Sequence, residues 1–302
     1  MPSTKNNALK KLAAISSISV SAFLCLIKVI AVMYTGSLAV LSSMIDSLAD
    51  IFASLITFLA VKTSLKPASV SYRYGYGKAE ALSALFQACF ISVSGAYIFY
   101  DALLRLWKPQ PLVKTDIGLL IMIASLIITL CLVSFQRYVS KKTSSLAIEA
   151  DSAHYSIDIL TNISIILSLF IVKIWNIYWL DSVIAAAISV YLLHSAYNLG
   201  KQAISLLLDK ELNDNIRNHI FEIVKQHPLS LKIHDLRTRN LGAAYMFEFH
   251  LELDGNLNLY TAHKYTDEVE RLIRKHYPDA QIIIHQDPSG IKEERLDNKL
   301  FS

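Results

Sequence analysis

Residues 38–61 read LAVLSSMIDSLADIFASLITFLAV, an apolar stretch in which Asp46 and Asp50 are the only charged residues. A helix that spans a bilayer needs about 20 mostly apolar residues. A charged Asp at the centre of such a helix costs about 2.5–3.5 kcal/mol on the insertion scale. The stretch therefore predicts a membrane-spanning helix, and its two carboxylates need a partner that neutralises them.

Five further apolar stretches of similar length lie in the first two thirds of the chain. Together the six predicted spans are residues 12–33, 38–61, 81–100, 117–135, 153–172 and 182–199. The composition agrees, because 53% of the residues are hydrophobic and only 18% are charged, against about 45–50% and 25% in soluble domains. With three Cys and nine Gly, the chain is neither a disulfide scaffold nor a collagen-like fibre. We expect a helical membrane protein.

Charge and histidine content change near residue 206. Residues 1–206 carry 16 Lys+Arg and 9 Asp+Glu, whereas residues 207–302 carry 13 and 16, with seven of the nine histidines. We therefore predict a six-span transmembrane domain over 1–206 and a charged, histidine-rich domain, as expected of a water-soluble unit, over 207–302. Ten basic residues flank the spans on the side of the amino terminus and four on the other side. The positive-inside rule then places both termini in the cytoplasm.

The second domain has the pattern of a small α+β unit. A helical pattern ends before Pro228, strands are predicted at 232–239, 245–253 and 281–286, and a second helix at 260–276. Residues 245–253 alternate between apolar and polar side chains, as a strand does when one of its faces is buried. The predicted order of elements is αββαβ.

The second and fifth spans carry paired polar residues one helical turn apart. Asp46 and Asp50 share one face of the second span, and His154 and Asp158 share one face of the fifth. Three carboxylates and an imidazole supply four N/O ligands, a set that suits a divalent transition metal. The alternative is that these residues cap helices or pair with basic partners, for which Lys28 is the only basic residue well inside a span.

The intramembrane ligands favour a transported ion over a catalytic one. A membrane-embedded metal-dependent hydrolase needs a general base beside an incompletely ligated metal, and the chain has no HExxH motif. A non-transporting metal sensor or channel stays open as an alternative, although rapid conduction requires weak binding at several sites. We predict a transporter and not an enzyme.

Four motifs carry a resemblance to a known family. They are GSLAVLSSMIDSLADI at 36–51, YGYGKAEALSALFQ at 74–87, HYSID at 154–158 and IIIHQDP at 282–288. In order and spacing they resemble the cation diffusion facilitator family, closest to its bacterial zinc and ferrous-iron efflux branch. The resemblance implies a homodimer in the lipid of the bacterial inner membrane. It also implies that residues 1–206 are the transport domain and that residues 207–302 are a cytoplasmic metal-binding and dimerisation domain. Each protomer would exchange Zn²⁺ or Fe²⁺, with Cd²⁺ as a further candidate, for protons, and nucleic acid is not an expected partner.

The resemblance also implies roles for particular residues. Asp46, Asp50, His154 and Asp158 match the transport site of the family. The C-terminal domain would have a ferredoxin-like, metallochaperone-like fold and bind a structural or regulatory Zn²⁺ or Fe²⁺. The residues that match this regulatory cluster are His234, His250, His263, His285 and Asp287. From the residues alone, each histidine could equally be a surface residue, but His285 and Asp287 share one face of a strand.

Two further matches concern the membrane surface. Lys78 and Asp209 match a charge interlock between subunits, with two solvated charges as the alternative. Relatives often carry an Asp and two His in the loop between spans two and three, where this chain has Ser69, Tyr72 and Tyr76. Hydroxyls are poor ligands for divalent metals beside carboxylate and imidazole, so we predict that this loop site is absent.

Overall fold

The computed structural model describes residues 4–35, 38–107, 116–175, 179–228, 232–242, 244–291 and 294–300. The chain divides into two compact units. The membrane unit comprises Ser3–Pro67 and Lys78–Ile204, and the C-terminal unit comprises Ser205–Ser302 with Ala68–Gly77. The loop between the second and third helices is therefore part of the C-terminal unit.

Each of the six predicted spans lies in a long helix of the membrane unit. These helices are α1 (Thr4–Thr35), α2 (Leu38–Ser64), α3 (Ala79–Trp107), α4 (Asp116–Thr143), α5 (Leu146–Trp175) and α6 (Trp179–Leu207). Among the described residues, all except α5 contain a stretch that is long and apolar enough to cross a membrane. The described part of α5 carries three acidic residues, Glu149, Asp151 and Asp158, which lower its hydropathy.

Small residues bring α3 and α6 close together. Ala84 and Ala88 of α3 lie in one buried cluster with Ala196 and Ala203 of α6. A Cβ atom on Gly95 would lie 3.3 Å from the side chain of Leu193. Small side chains let helix backbones approach closely where lipid supplies no hydrophobic driving force. The sequence of α3 is therefore suited to direct packing against α6.

The C-terminal unit contains the predicted elements and one additional short helix. Its elements are α7 (Asp214–Lys225), β1 (Lys232–Asn240), β2 (Tyr245–Leu253), α8 (Leu259–His276), β3 (Gln281–Pro288) and α9 (Leu296–Leu300). The strand order is β1-β2-β3, with β1 antiparallel and β3 parallel to β2. The prediction of transmembrane helices followed by a small α+β domain is confirmed. The five-residue helix α9 is too short to show a hydrophobic periodicity.

One face of the sheet is buried against the helices. Phe247, Phe249 and Leu251 of β2 are fully buried and cluster with Ile220 of α7 and Ile273 of α8. Side chains alternate across a strand. The even-numbered residues of β2, which include two glutamates and a histidine, therefore lie on the opposite, polar face.

The strand register aligns three histidines on that polar face. His234 of β1 is paired with His250 of β2, and His250 is paired with His285 of β3. Two residues further along the same strands, Glu252 of β2 is paired with Asp287 of β3. A β-bulge follows His234 in β1, and Asp235 there adopts a φ of 52°.

Candidate metal centres

The first candidate centre lies between α2 and α5. Asp50 of α2 and His154 and Asp158 of α5 each offer one ligand atom, and the three atoms lie within 4.8 Å of one another. Within this group, His154 Nε2 lies 3.1 Å from Asp50 Oδ1. Two carboxylates and one imidazole thus converge from two facing helices, in a geometry that a small divalent cation can bridge.

Aromatic rings and helix packing enclose the imidazole of this centre. His154 is 4% exposed, and its ring packs edge-on against Phe90 of α3, with ring centroids 5.3 Å apart. Its Nδ1 atom is buried and has no hydrogen-bond partner among the described residues. Packing therefore fixes the ring with Nε2 directed at the carboxylate of Asp50.

Asp46 is not part of this group. It lies one turn before Asp50 on α2, about 6 Å along the helix axis at 1.5 Å per residue, and it is exposed. Its neighbour Ser47 accepts a hydrogen bond of 2.7 Å from Lys28 Nζ of α1. The structure thus brings together three of the four predicted transport ligands, and the role of Asp46 stays a prediction.

A buried polar network that the sequence analysis did not single out begins three residues before His154. Asp151 is fully buried and accepts hydrogen bonds from Ser17 of α1 and Gln136 of α4. Ser17 and Tyr155 each lie within hydrogen-bond distance of Ser54 of α2, at 2.8 and 2.7 Å. The network joins α1, α2, α4 and α5. In the sequence, only the acidic residue Asp151 within an apolar stretch could have indicated it.

The second candidate centre lies on the polar face of the C-terminal sheet. His234, His250 and Asp287 each offer a ligand atom within 4.8 Å of the others. Asp287 Oδ2 lies 2.8 Å from His250 Nδ1 and 3.3 Å from His234 Nε2. Asp287 is 5% exposed, so one nearly buried carboxylate lies between two imidazoles.

The two other histidines predicted for this cluster differ in position. His285 Nε2 lies 3.2 Å from Asp287 Oδ1, at the exposed edge of the cluster. His263 is 68% exposed and lies near Asp267 of its own helix, at 3.7 Å. Helix α8 packs on the apolar face of the sheet, so His263 is not grouped with the histidines on the polar face.

Residues near the chain end support the β1 bulge beside His234. The carboxylate of Asp235 accepts backbone N–H hydrogen bonds of 2.9 Å from both Leu296 and Asp297. Burial on its own would raise the pKa of Asp235, but the two backbone donors outweigh it and hold the pKa below the ordinary value of 3.8. The ionised Asp235 therefore caps the short helix α9.

The loop between α2 and α3 has internal contacts at the positions of the predicted missing site. Ser69 Oγ lies 3.0 Å from the hydroxyl of Tyr76, and the rings of Tyr72 and Tyr76 are 4.7 Å apart. The absence of a metal site there stays a prediction.

The two residues of the expected charge interlock lie in different units of the chain. Asp209 contacts Arg239 Nη1 at 3.4 Å within the C-terminal unit, and the Arg239 guanidinium stacks over Tyr74 of the loop, 5.2 Å from the ring centroid. The expected pairing of Lys78 with Asp209 joins two subunits, and it stays a prediction.

The class of protein that these features indicate is an integral membrane protein that binds cations. Its helices are long and apolar, and two of them bring carboxylates and an imidazole together. Residues 14–208 match the family model of the cation efflux transmembrane domain, and residues 212–289 match the model of the cation efflux protein cytoplasmic domain. The chain belongs to this family, the cation diffusion facilitators, and the resemblance of its motifs is confirmed.

Curated relatives align along almost the whole chain. The sequence is 40% identical over 279 residues to the cation-efflux pump FieF of Klebsiella pneumoniae subsp. pneumoniae. This alignment covers 92% of this chain and 93% of the relative. The same values hold for FieF of Shigella boydii serotype 18 and of Escherichia coli O1:K1.

Two solved structures each match about a quarter of the chain. The Zn form of CzrB is 31% identical, covers 28% of this chain and 99% of that one, and has a TM-score of 0.27. The metal-bound C-terminal domain of the CzcD transporter from Thermotoga maritima is 28% identical, covers 26% and 93%, and has a TM-score of 0.25.

Proposed function

We propose that the protein exports a divalent transition metal, Zn²⁺ or Fe²⁺, from the cytoplasm in exchange for protons. It works as a homodimer in the bacterial inner membrane, with both termini in the cytoplasm. The convergence of Asp50, His154 and Asp158 inside the membrane unit is the observation that carries this proposal. The FieF relatives, which are named as cation-efflux pumps, support it.

The exchange for protons follows from the chemistry of the ligands. Carboxylate and imidazole bind a metal only in their deprotonated forms, so protons and the cation compete for the same atoms. When the site faces the cytoplasm, the cation offsets the cost of the buried carboxylates. When helix movements expose the site to the outer side, protons take the place of the cation and release it.

The ligand set restricts the cargo to a class of ions. Imidazole nitrogen with carboxylate oxygen suits Zn²⁺, Fe²⁺ and similar ions better than Mg²⁺ or Ca²⁺, which prefer oxygen ligands alone. Asp46 would join this site during the transport cycle as a fourth ligand.

The cluster of His234, His250 and Asp287 would bind a regulatory ion in the cytoplasm. Its two imidazoles and nearly buried carboxylate fit such an ion, because all three ligand atoms lie within 4.8 Å. His285, and His263 after a rearrangement or from a second subunit, would complete the cluster. The family model that matches residues 212–289 is named for a dimer domain, which supports a role for this domain in dimerisation.

Flux measurements in proteoliposomes test the proposed function. We expect Zn²⁺ flux to require a pH gradient and to be lost in Asp50→Asn. The matched control is Asp101→Asn, which removes a half-exposed acidic residue of α3 paired with Arg105, and we expect it to retain flux. Flux that is indifferent to the pH gradient would refute proton exchange. Zn²⁺ binding without any flux would instead favour a sensor.

A further inference from the structure

Glu252 is a buried acidic residue beside the C-terminal cluster to which neither the sequence motifs nor the family match gives a role. It lies on the polar face of β2, is 9% exposed and is paired in register with Asp287 of β3. A buried carboxylate requires a partner, because transfer of an unpaired charge out of water is costly. Among the described residues, Arg295 and the imidazole of His234 lie within 4 Å of its carboxylate.

The imidazole of His234 lies between two carboxylates. Its Nε2 atom lies 3.3 Å from Asp287 Oδ2, inside the cluster, and its Nδ1 atom lies 3.4 Å from Glu252 Oε1. The Nδ1 atom is buried and lacks a well-formed hydrogen bond to any described residue. The two nitrogens of one ring are thus directed at the cluster and at Glu252.

This arrangement resembles the outer contacts of histidines that bind metals. Such a histidine usually binds the metal through one nitrogen and donates its other N–H to a carboxylate, which fixes the tautomer and increases the basicity of the ligating nitrogen. We propose that Glu252 is the positioning residue of His234: its carboxylate accepts a hydrogen bond from the Nδ1–H group and so keeps Nε2 available to a divalent cation. This inference rests on the proposed metal binding of the cluster.

The C-terminal segment 294–300 holds Glu252 in place. Arg295 Nη2 donates a short hydrogen bond to Glu252 Oε1. The following residues, Leu296 and Asp297, donate their backbone N–H groups to Asp235, the residue after His234. The segment therefore contacts both the backbone next to His234 and the carboxylate next to its ring. Its docking contributes to the affinity of the cluster for the metal.

Zn²⁺ titration of the full chain in detergent, with Asp50→Asn present throughout to disable the membrane site, tests this role. We expect Glu252→Gln to weaken Zn²⁺ binding at the cluster by about 10–100-fold, the usual effect of losing such an outer contact. We expect Arg295→Gln to weaken it by about 10-fold, at the lower end of that range. The matched control is Glu248→Gln, on the same strand and face, whose carboxylate is exposed and paired with Arg237; it should change the affinity less than twofold.

A double-mutant cycle separates positioning from a general structural effect. If Glu252 acts through His234, Glu252→Gln should cause no further loss of affinity in a His234→Ala background, because interacting residues are non-additive. Additive losses, or a change under twofold in Glu252→Gln alone, would overturn the inference. If Glu252→Gln does not fold, the result for Arg295→Gln decides in the same way. Unchanged Zn²⁺ binding in Asp287→Asn would instead refute the proposed cluster itself.

Discussion

A buried ion pair between α1 and α3 of the membrane unit supports a quantitative prediction. Glu80, at the start of α3, lies 2.9 Å from Lys10 Nζ of α1. It also accepts hydrogen bonds from Ser64, the last residue of α2, and from Ser145, between α4 and α5. The exposed fractions of the Lys10 and Glu80 side chains are only 11% and 8%. Glu80→Gln keeps the size of the side chain and removes its charge.

The expected cost of this substitution follows from the burial of the pair. At the observed separation and an effective dielectric constant of about 20, the attraction between the charges is about 6 kcal/mol, most of which is offset by their desolvation. Removing one partner leaves the other charge buried without compensation, which typically costs about 3–5 kcal/mol. We therefore expect Glu80→Gln to destabilise the membrane unit by about 3–5 kcal/mol.

Unfolding of the purified protein in detergent measures this effect. At about 2–4 °C per kcal/mol for a domain of this size, the melting temperature should fall by at least about 6 °C. The control is Asp101→Asn on the same helix, which breaks a pair whose side chains are 39% and 38% exposed. Exposed pairs contribute about 0–1 kcal/mol, so this control should melt within about 4 °C of the parent.

The double variant Lys10→Met with Glu80→Gln completes the test. With both charges removed, no uncompensated charge stays buried, and we expect most of the lost stability to return. The reasoning would be wrong if Glu80→Gln melted like the parent. It would also be wrong if the double variant were less stable than Glu80→Gln.

Three further predictions concern the C-terminal unit. Gly242→Ala should lower the melting temperature more than Gly75→Ala: both glycines have a positive φ, but only at Gly242 would a Cβ meet backbone atoms, at 2.5 Å. The stabilising effect of Asp235, measured against Asp235→Asn, should be complete above its ordinary pKa of 3.8 and disappear as the pH falls through its lower folded pKa; equal stability of the two proteins at pH 7 would contradict this. Ser69→Asp with Tyr72→His should add a Zn²⁺ ion per chain in a binding titration, whereas an unchanged stoichiometry would show that these ligands alone do not restore the loop site.

Much of the fold could be predicted because its signals are local. Each of the six apolar stretches lies in a long helix, and the alternation along 245–253 matches strand β2 (Tyr245–Leu253). The i, i+4 spacing predicts that His154 and Asp158 share one face of α5, and in the structure both lie close to Asp50. Helix α9 and its contacts with Asp235 were missed, because five residues carry no periodic signal.

The membership of each metal centre depended on packing between elements. Asp46 and Asp50 look equivalent in the sequence, yet only Asp50 lies level with the imidazole of His154. His263 lies on the helix that covers the apolar face of the sheet, which separates it from His250 in this chain. Distances between elements depend on their offset and rotation, which local spacing does not specify.

The sequence by itself determined that the chain spans a membrane, that a few costly acidic residues lie inside it, and that a charged, histidine-rich domain follows. These properties depend on the hydropathy and periodicity of single segments, which neighbouring elements do not change. Only the tertiary structure decided that His234, His250 and His285 form one row and that Glu252 lies beside His234. Strand register and the docking of a short terminal helix decide those contacts, and both result from interactions between residues far apart in the chain.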